Sequence, residues 1–240
     1  MKARLFGIIT PTELGGSGMG MMGLVVLAEE LGRSTFGGVT VTVMVHAAMA
    51  SPHLLHAGSE EQLQRFLPGI RSGQAIWCQG YSEPGSGSDL ASLQTAARED
   101  GDDFLINGQK IWTSTADKSE MIFILVRTEP DAAKHAGISY ILLPMDTPGI
   151  TVRPLWTLPG GRTNEVFLED VRVPKDSLLG ARDEGWYIGA SALNLGRAGA
   201  RRYCIYVSPF EDLLDFLKND DLGRELADDP VVRDKVAELY

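Results

Sequence analysis

Little in this chain points to disulfides, metals or nucleic acid. Cys78 and Cys204 are its only thiols in 240 residues. Two cysteines without a close spacing, in a chain of cytosolic character, are expected to be free. No cysteine–histidine spacing has the form of a zinc site, so no metal is expected. The four histidines (His46, His53, His56, His135) are scattered and are read as packing or surface residues. Lys+Arg 22 against Asp+Glu 32 gives a formal charge of −10, the wrong sign for a nucleic-acid surface. A local basic cluster can still meet a small anion. No apolar run reaches the roughly 18–20 residues of a membrane span. The longest candidate, around 37–50, is broken by Gly38, Thr40, Thr42 and His46. The opening MKARLFGIIT lacks a cleavable apolar segment with small-residue flanks, and a cytoplasmic location is expected.

What is present divides into three stretches. Residues 1–75 read as helical. MMGLVVLAEELGRS puts Leu24, Leu27, Ala28 and Leu31 on one face and turns Glu29 and Glu30 to water. VTVMVHAAMA is apolar almost all round, which suits a buried helix, although its valines also permit a strand. Pro52 is expected to interrupt it. Ser59 with Gln62 forms a capping box opening SEEQLQRFL, which Pro68 is expected to close.

Residues 76–180 change period. DFLINGQKIWTS reads as a hairpin turning at Asn107-Gly108. MIFILVRT, ISYILLPM, ITVRPL and EVFLEDVRVP are further β-rich runs between turn-forming residues. Strands so spaced, without helices between them, predict an antiparallel barrel or sandwich. Residues 181–240 return to helix, with Pro209 expected to kink or end one segment and Asp229 to cap the last. That last helix reaches Tyr240 without a stop signal, so the chain is expected to be part of a longer protein.

The densest chemistry lies in CQGYSEPGSGSDLASLQT, from Cys78 to Thr95, and GQKIWTST, from Gly108 to Thr115. Hydroxyls, glycines that let backbone approach closely and one tryptophan describe a loop and strand able to hold a flat, phosphate-bearing group. Each motif has a plainer reading: SEPGSGSD as a polar turn, Trp112 as a core aromatic on a barrel strand.

Together the stretches resemble the acyl-CoA dehydrogenase family over nearly the whole chain. TPTELGGSGMG with EELGRST, GSEEQLQRFLPGIRSGQ, the pair SEPGSGSD and KIWTS, and FLEDVRVPKDSLLG carry the resemblance. It implies an α+β protein with an N-terminal helical bundle, an antiparallel β-barrel middle domain and the start of a C-terminal four-helix bundle. It implies FAD as cofactor and oxidation of the Cα–Cβ bond of an acyl-CoA thioester. A carboxylate takes the α-proton, and the β-hydrogen leaves as hydride to flavin N5.

The resemblance also assigns residues. Gln79, Ser82, Gly87, Ser88, Trp112, Thr113 and Ser114 fall at cofactor positions. Trp112 would cover one face of the flavin ring, and Ser114 would bond near N5 and O4. Gly85 and Gly87 would admit the diphosphate. Ser88, Asn194 and Arg197 fall at substrate positions, although Arg197, Arg201 and Arg202 also read as a solvated helical face. The family often has Tyr where this chain has Gln79, and Thr at Ser82 and Ser114, so a wetter flavin environment is expected. Some members carry the catalytic glutamate where this chain has Gly196. Here the base is expected beyond Tyr240. Implied partners are an electron-transfer flavoprotein and further copies in a homodimer or homotetramer. Two alternatives share the fold: a flavin monooxygenase or nitroalkane oxidase, and a base-less partner subunit of a hetero-oligomer.

Overall fold

Helix α1, Gly20–Gly32, forms where the apolar spacing is clearest, burying Leu24, Leu27 and Ala28 and leaving Glu29 and Glu30 exposed. The computed structural model describes residues 5–34, 37–158, 160–197 and 201–239, and the side chains of these apart from 192, 194–197 and 201–204. The valine-rich segment is helical. Helix α2 (Gly37–Val45) passes through a π-helical turn, His46–Ala50, into α3 (Ser51–Ala57).

Pro52 does not interrupt this helix, contrary to expectation. In the widened turn the Ser51 N–H reaches back to the His46 carbonyl. Pro52 then sits in the first turn of α3, directly after this widened turn. The continuous 21-residue helix Gly37–Ala57 is therefore long and apolar enough to cross a membrane. Here Val43, Met44, Ala47, Ala50 and Leu54 are buried against protein.

Helix α4, Glu60–Ser72, has the expected capping box, with the Gln62 N–H donating to Ser59 Oγ and the Ser59 N–H to Gln62 Oε1. It runs through Pro68 and ends at Gly73, whose left-handed backbone (φ 72°) closes it. Leu67 and Ile70, buried on either side of the proline, hold the helix past it. Gln62 also donates from Nε2 to the carbonyls of Asp176 and Leu178, tying α4 to the segment that follows the last strand of the sheet.

Seven strands follow: β1 (Trp77–Gly80), β2 (Ala96–Asp100), β3 (Asp103–Lys110), β4 (Met121–Arg127), β5 (Ile138–Pro144), β6 (Ile150–Trp156) and β7 (Arg162–Pro174). They form one curled sheet in the order β1-β4-β2-β3-β7-β6, with β5 on β4. It is an open half-barrel. Most pairings are antiparallel, but β1 and β2 both run parallel to β4. Periodicity missed this because the crossover from β1 to β4 is a loop and a hairpin, with no helix to announce it.

The predicted hairpin turn is also displaced. The β2–β3 turn falls at Gly101-Asp102, between Asp100 and its partner Asp103. Asn107-Gly108 lies inside β3 opposite a bulge in β7, where Glu169 and Asp170 together face Asn107. Gly108 has φ 154°, and a Cβ there would lie 2.5 Å from Thr95 Oγ1, so close approach explains this glycine better than a turn. Strand β4 is buried on both faces. Ile122, Ile124 and Val126 enter the core inside the curl, while Phe123 and Leu125 pack toward the helices.

After the sheet come α5 (Gly185–Arg197), α6 (Arg201–Asn219), α7 (Asp221–Ala227) and α8 (Pro230–Leu239). Helix α6 runs through Pro209 without ending. Asp229 caps α8 as expected, its Oδ1 accepting the Val231 N–H at 2.7 Å.

Under the junction of helices and sheet, His53 Nδ1 lies 3.0 Å from Tyr140 Oη, which accepts from Tyr81 Oη at 3.0 Å. Burial, with a smaller push from His56, holds the His53 pKa down to about 3. His53 is thus neutral in the fold, while the unfolded chain takes up a proton below about 6.5. The stability this contributes is present above pH 6.5 and is lost as pH falls toward 3, by up to about 1.4 kcal/mol per pH unit. Replacing His53 with Gln should flatten the dependence of the urea midpoint on pH between 6.5 and 4.5. An unchanged slope would place the acid sensitivity elsewhere.

Candidate functional site

Strand β1 delivers the chain to loop 81–95, which is folded back on itself. Glu83 and Ser86 exchange both backbone hydrogen bonds, at 2.8 and 3.0 Å. Ser86 Oγ donates to the carbonyls of Asp89 and Leu90. Gly85, Gly87 and Ser88 are exposed at the tip, with open space where a Cβ would stand on either glycine.

The loop is fixed by a buried ion pair. Lys110, at the end of β3, is 0% exposed, and its Nζ donates to Glu83 Oε1 at 2.8 Å and the Tyr81 carbonyl at 3.2 Å. The Glu83 carboxylate also accepts the backbone N–H groups of Gln94 (2.7 Å) and Thr95 (2.9 Å). Burial pulls Lys110 down to about 8, against the Glu83 charge, which raises it. Burial pushes Glu83 up, but the Lys110 charge and the accepted hydrogen bonds more than offset it, so the carboxyl lies below its usual value. Both carboxylate oxygens accept hydrogen bonds within the fold, and Glu83 is buried and does not line the cleft.

Beyond Lys110 the chain turns sharply. The Ile111 N–H bonds to the Ser82 carbonyl at 2.9 Å, locking strand to loop. Trp112 then takes a left-handed backbone (φ 59°) and Thr115 another (φ 63°). A bulky residue held there is strained, and such strain persists only where surroundings impose it. The clamp is Asn164 of β7. Its carbonyl accepts the Thr113 N–H at 2.9 Å, and its buried Nδ2 donates to the Thr113 carbonyl at 3.0 Å and to Asp117 at 3.2 Å. The turn leaves the Trp112 ring 58% exposed.

Between this turn, β1 and α2 lies a cleft of about 300 Å³, lined by Gln79, Ser82, Trp112, Ser114, Thr115 and His46 among others. Four of the sequence-predicted cofactor residues therefore share one space: Gln79, Ser82, Trp112 and Ser114. Gly87 and Ser88 sit at the exposed loop tip, outside the cleft lining. Thr113 is fully buried, with its backbone taken by Asn164 and its Oγ1 unpartnered. Asn194 and Arg197 lie outside the described residues. The Ser82 and Ser114 hydroxyls make no hydrogen bond to protein among the described residues.

His46 forms the floor. The π-turn swings it under β1, where Nε2 accepts the Trp77 N–H at 2.8 Å while Nδ1 lies 2.6 Å from the Thr42 carbonyl. One nitrogen accepts and the other donates, so the ring is the neutral Nδ1–H tautomer. Burial, the largest influence, lowers its pKa, against the Thr42 bond and the Glu120 charge. Burial pushes the Cys78 thiol, also in the lining, up to about 12, so it stays protonated.

An exposed aromatic face, two free hydroxyls and a neutral lining fit a planar, uncharged ring system bearing hydrogen-bond acceptors. The glycine-bearing tip beside the cleft offers open backbone for an appended anionic group. The residues present thus fit FAD in kind. Sequence reasoning missed Glu83, Lys110, Asn164 and the role of His46. A signal for Lys110 existed: it shares the parity of the buried Phe104 and Ile106, and a lysine at an inward position needs a partner.

Comparisons with known proteins bear on the family. Residues 78–171 match the family model for the acyl-CoA dehydrogenase middle domain, and residues 1–74 that for its N-terminal domain. Acyl-CoA dehydrogenase IpdE1 of Mycobacterium tuberculosis is 37% identical over 240 residues, covering 96% of this chain and 59% of its own length. Among solved structures, the Tcur3481-Tcur3483 steroid ACAD superposes with a TM-score of 0.86 at 34% identity, covering 98% of this chain and 59% of the other. The ChsE4-ChsE5 complex from Mycobacterium tuberculosis gives 0.82 at 32%, covering 97% and 60%. The chain spans about three-fifths of the length of these relatives.

Replacing His46 with Ala leaves the Trp77 N–H buried without an acceptor, at a cost of about 1–3 kcal/mol. The expected result is a lower thermal midpoint with faster amide exchange at Trp77. Unchanged exchange there would mean that His46 does not hold the cleft floor.

Proposed function

Because the chain belongs to the acyl-CoA dehydrogenase family, we propose that its protein is an FAD-dependent enzyme that oxidises the Cα–Cβ bond of an acyl-CoA thioester. The observation that carries the reading is the shared cleft, lined by the exposed Trp112 and by Ser82 and Ser114, whose hydroxyls have no partner among the described residues. FAD, when bound, supplies the two-electron acceptor for the substrate β-hydrogen. Trp112 covers one face of the ring and shields it from water. Ser82 and Ser114 donate to ring acceptors, and Gln79 borders the same face. Thr113, clamped by Asn164, sets the turn that aims its two neighbours. Gly87 and Ser88 offer backbone and hydroxyl donors to the diphosphate and to the pantetheine arm of the substrate.

The carboxylate that takes the α-proton is assigned to a glutamate outside this sequence, because Gly196 supplies no base on α5. Asn194 and Arg197 on the same helix are assigned to the substrate. An electron-transfer flavoprotein is the proposed acceptor of the electrons, with homodimeric or homotetrameric assembly and a cytoplasmic location. The named resemblance to a steroid ACAD favours a bulky acyl group. A second reading, a subunit completing a partner's site in a hetero-oligomer, is favoured by relatives whose structures are named for two chains.

The full-length protein should purify yellow and release FAD on denaturation. Mixed anaerobically, its flavin should bleach faster with a steroid side-chain acyl-CoA than with butyryl-CoA. Protein that stays colourless and takes up no added FAD contradicts the reading. Bleaching only after a second, different subunit is added favours the hetero-oligomer.

Trp112→Ala should weaken FAD retention and shift its visible band. Ser114→Ala removes one hydrogen bond, worth about 0.5–1.5 kcal/mol, and should slow flavin reduction with folding intact. Wild-type spectra and rates in both variants would misplace the site.

A further inference from the structure

We propose that the buried Glu83–Lys110 pair is a positioning device for the flavin, aiming the Ser82 hydroxyl and the Trp112 ring at the cleft together. The inference rests on the reading of the cleft as a flavin site and extends it to two residues that do not line it.

The connectivity carries the argument. Lys110 Nζ grips the residue before Ser82, through the Tyr81 carbonyl, and the residue after it, through the Glu83 carboxylate. The Ser82 carbonyl in turn accepts the N–H of Ile111, the residue following Lys110. Ser82 is therefore bracketed on both sides and pinned from the middle by Lys110, the last residue of β3, and Ile111 after it. Trp112 comes next along the chain. Through Gln94 and Thr95, the Glu83 carboxylate also holds the far end of the loop. One ion pair thereby fixes the loop, its return to the sheet and the start of the strained turn.

Stability alone is a poor reason to keep such a pair. Burying two charges costs several kcal/mol each in hydration, and well-packed apolar replacements are often neutral or stabilising. What an apolar pair lacks is the fixed fork of directional bonds that sets where Ser82 points. The pair itself touches no ligand in the cleft, since both side chains are buried and neither lines it.

The test uses the full-length protein in three variants, Lys110→Met, Glu83→Gln and the two combined. Each is assayed by apoprotein titration with FAD, by visible circular dichroism of the bound flavin and by melting of the apoprotein. Either single change leaves a buried group unpaired, and both melting and FAD affinity should fall. The double variant should recover most of the melting temperature. It should still bind FAD about tenfold or more weakly, with an altered dichroic band, since supporting residues are worth that order at a bound group. If affinity and band return together with melting, the pair is only structural and the proposal falls. Wild-type affinity and an unaltered band in the single variants also overturn it. If the wild-type protein takes up no FAD, the flavin reading fails and takes this inference with it.

Discussion

The bond between Lys110 and Glu83 is the constraint on which the site depends. A lysine at an inward position of a sheet must find a carboxylate or leave, and the carboxylate it finds belongs to a loop with no regular structure of its own. The two N–H groups of residues 94 and 95 complete the acceptor's coordination. A glycine- and serine-rich segment that would otherwise sample many conformations is thus held at its base. Its tip, Gly85 to Ser88, stays open. Rigidity below and open backbone above together suit a loop to cradle a ligand.

The cleft is also a product of two architectures meeting. The helices supply its floor through the π-turn at His46, and the half-barrel supplies its walls through β1 and the turn after β3. Polar links cross the junction among the described residues, His46 to Trp77, Gln62 to the carbonyls of Asp176 and Leu178, and His53 to Tyr140. Each is buried or partly buried and directional, so each specifies the docking of helices on sheet more sharply than the apolar contacts around it. A π-turn is uncommon in a helix, and here it both accommodates Pro52 and swings an imidazole under a strand.

How much was legible in the sequence varies with the kind of signal. The α1 face and the capping box of Ser59 and Gln62 were readable because both are local and periodic. The grouping of Gln79, Ser82, Trp112 and Ser114 followed from the family resemblance, and the fold brings those four residues to one cleft. Pro52 and Pro68 misled because a π-turn in one case and the burial of Leu67 and Ile70 in the other overrode a local penalty, and α6 likewise runs on past Pro209. Asn107-Gly108 misled because turn residues also serve inside strands: Asn107 bonds the bulged Asp170 of β7, and Gly108 leaves room for Thr95. The parallel pairing of β1 with β4 and the clamp of Asn164 on Thr113 depend on contacts far apart in the chain. No local pattern encodes them.

The central claim is that the Trp112 ring lies against the flavin. A tryptophan in contact with a flavin quenches its fluorescence by donating an electron to the excited ring, and a phenylalanine in the same place does so far less. Fluorescence lifetimes of the bound flavin in the full-length wild-type protein and in Trp112→Phe test this directly. The account predicts nearly dark flavin in the wild type and long-lived emission in the variant. Equal lifetimes in two proteins that both bind FAD would contradict it.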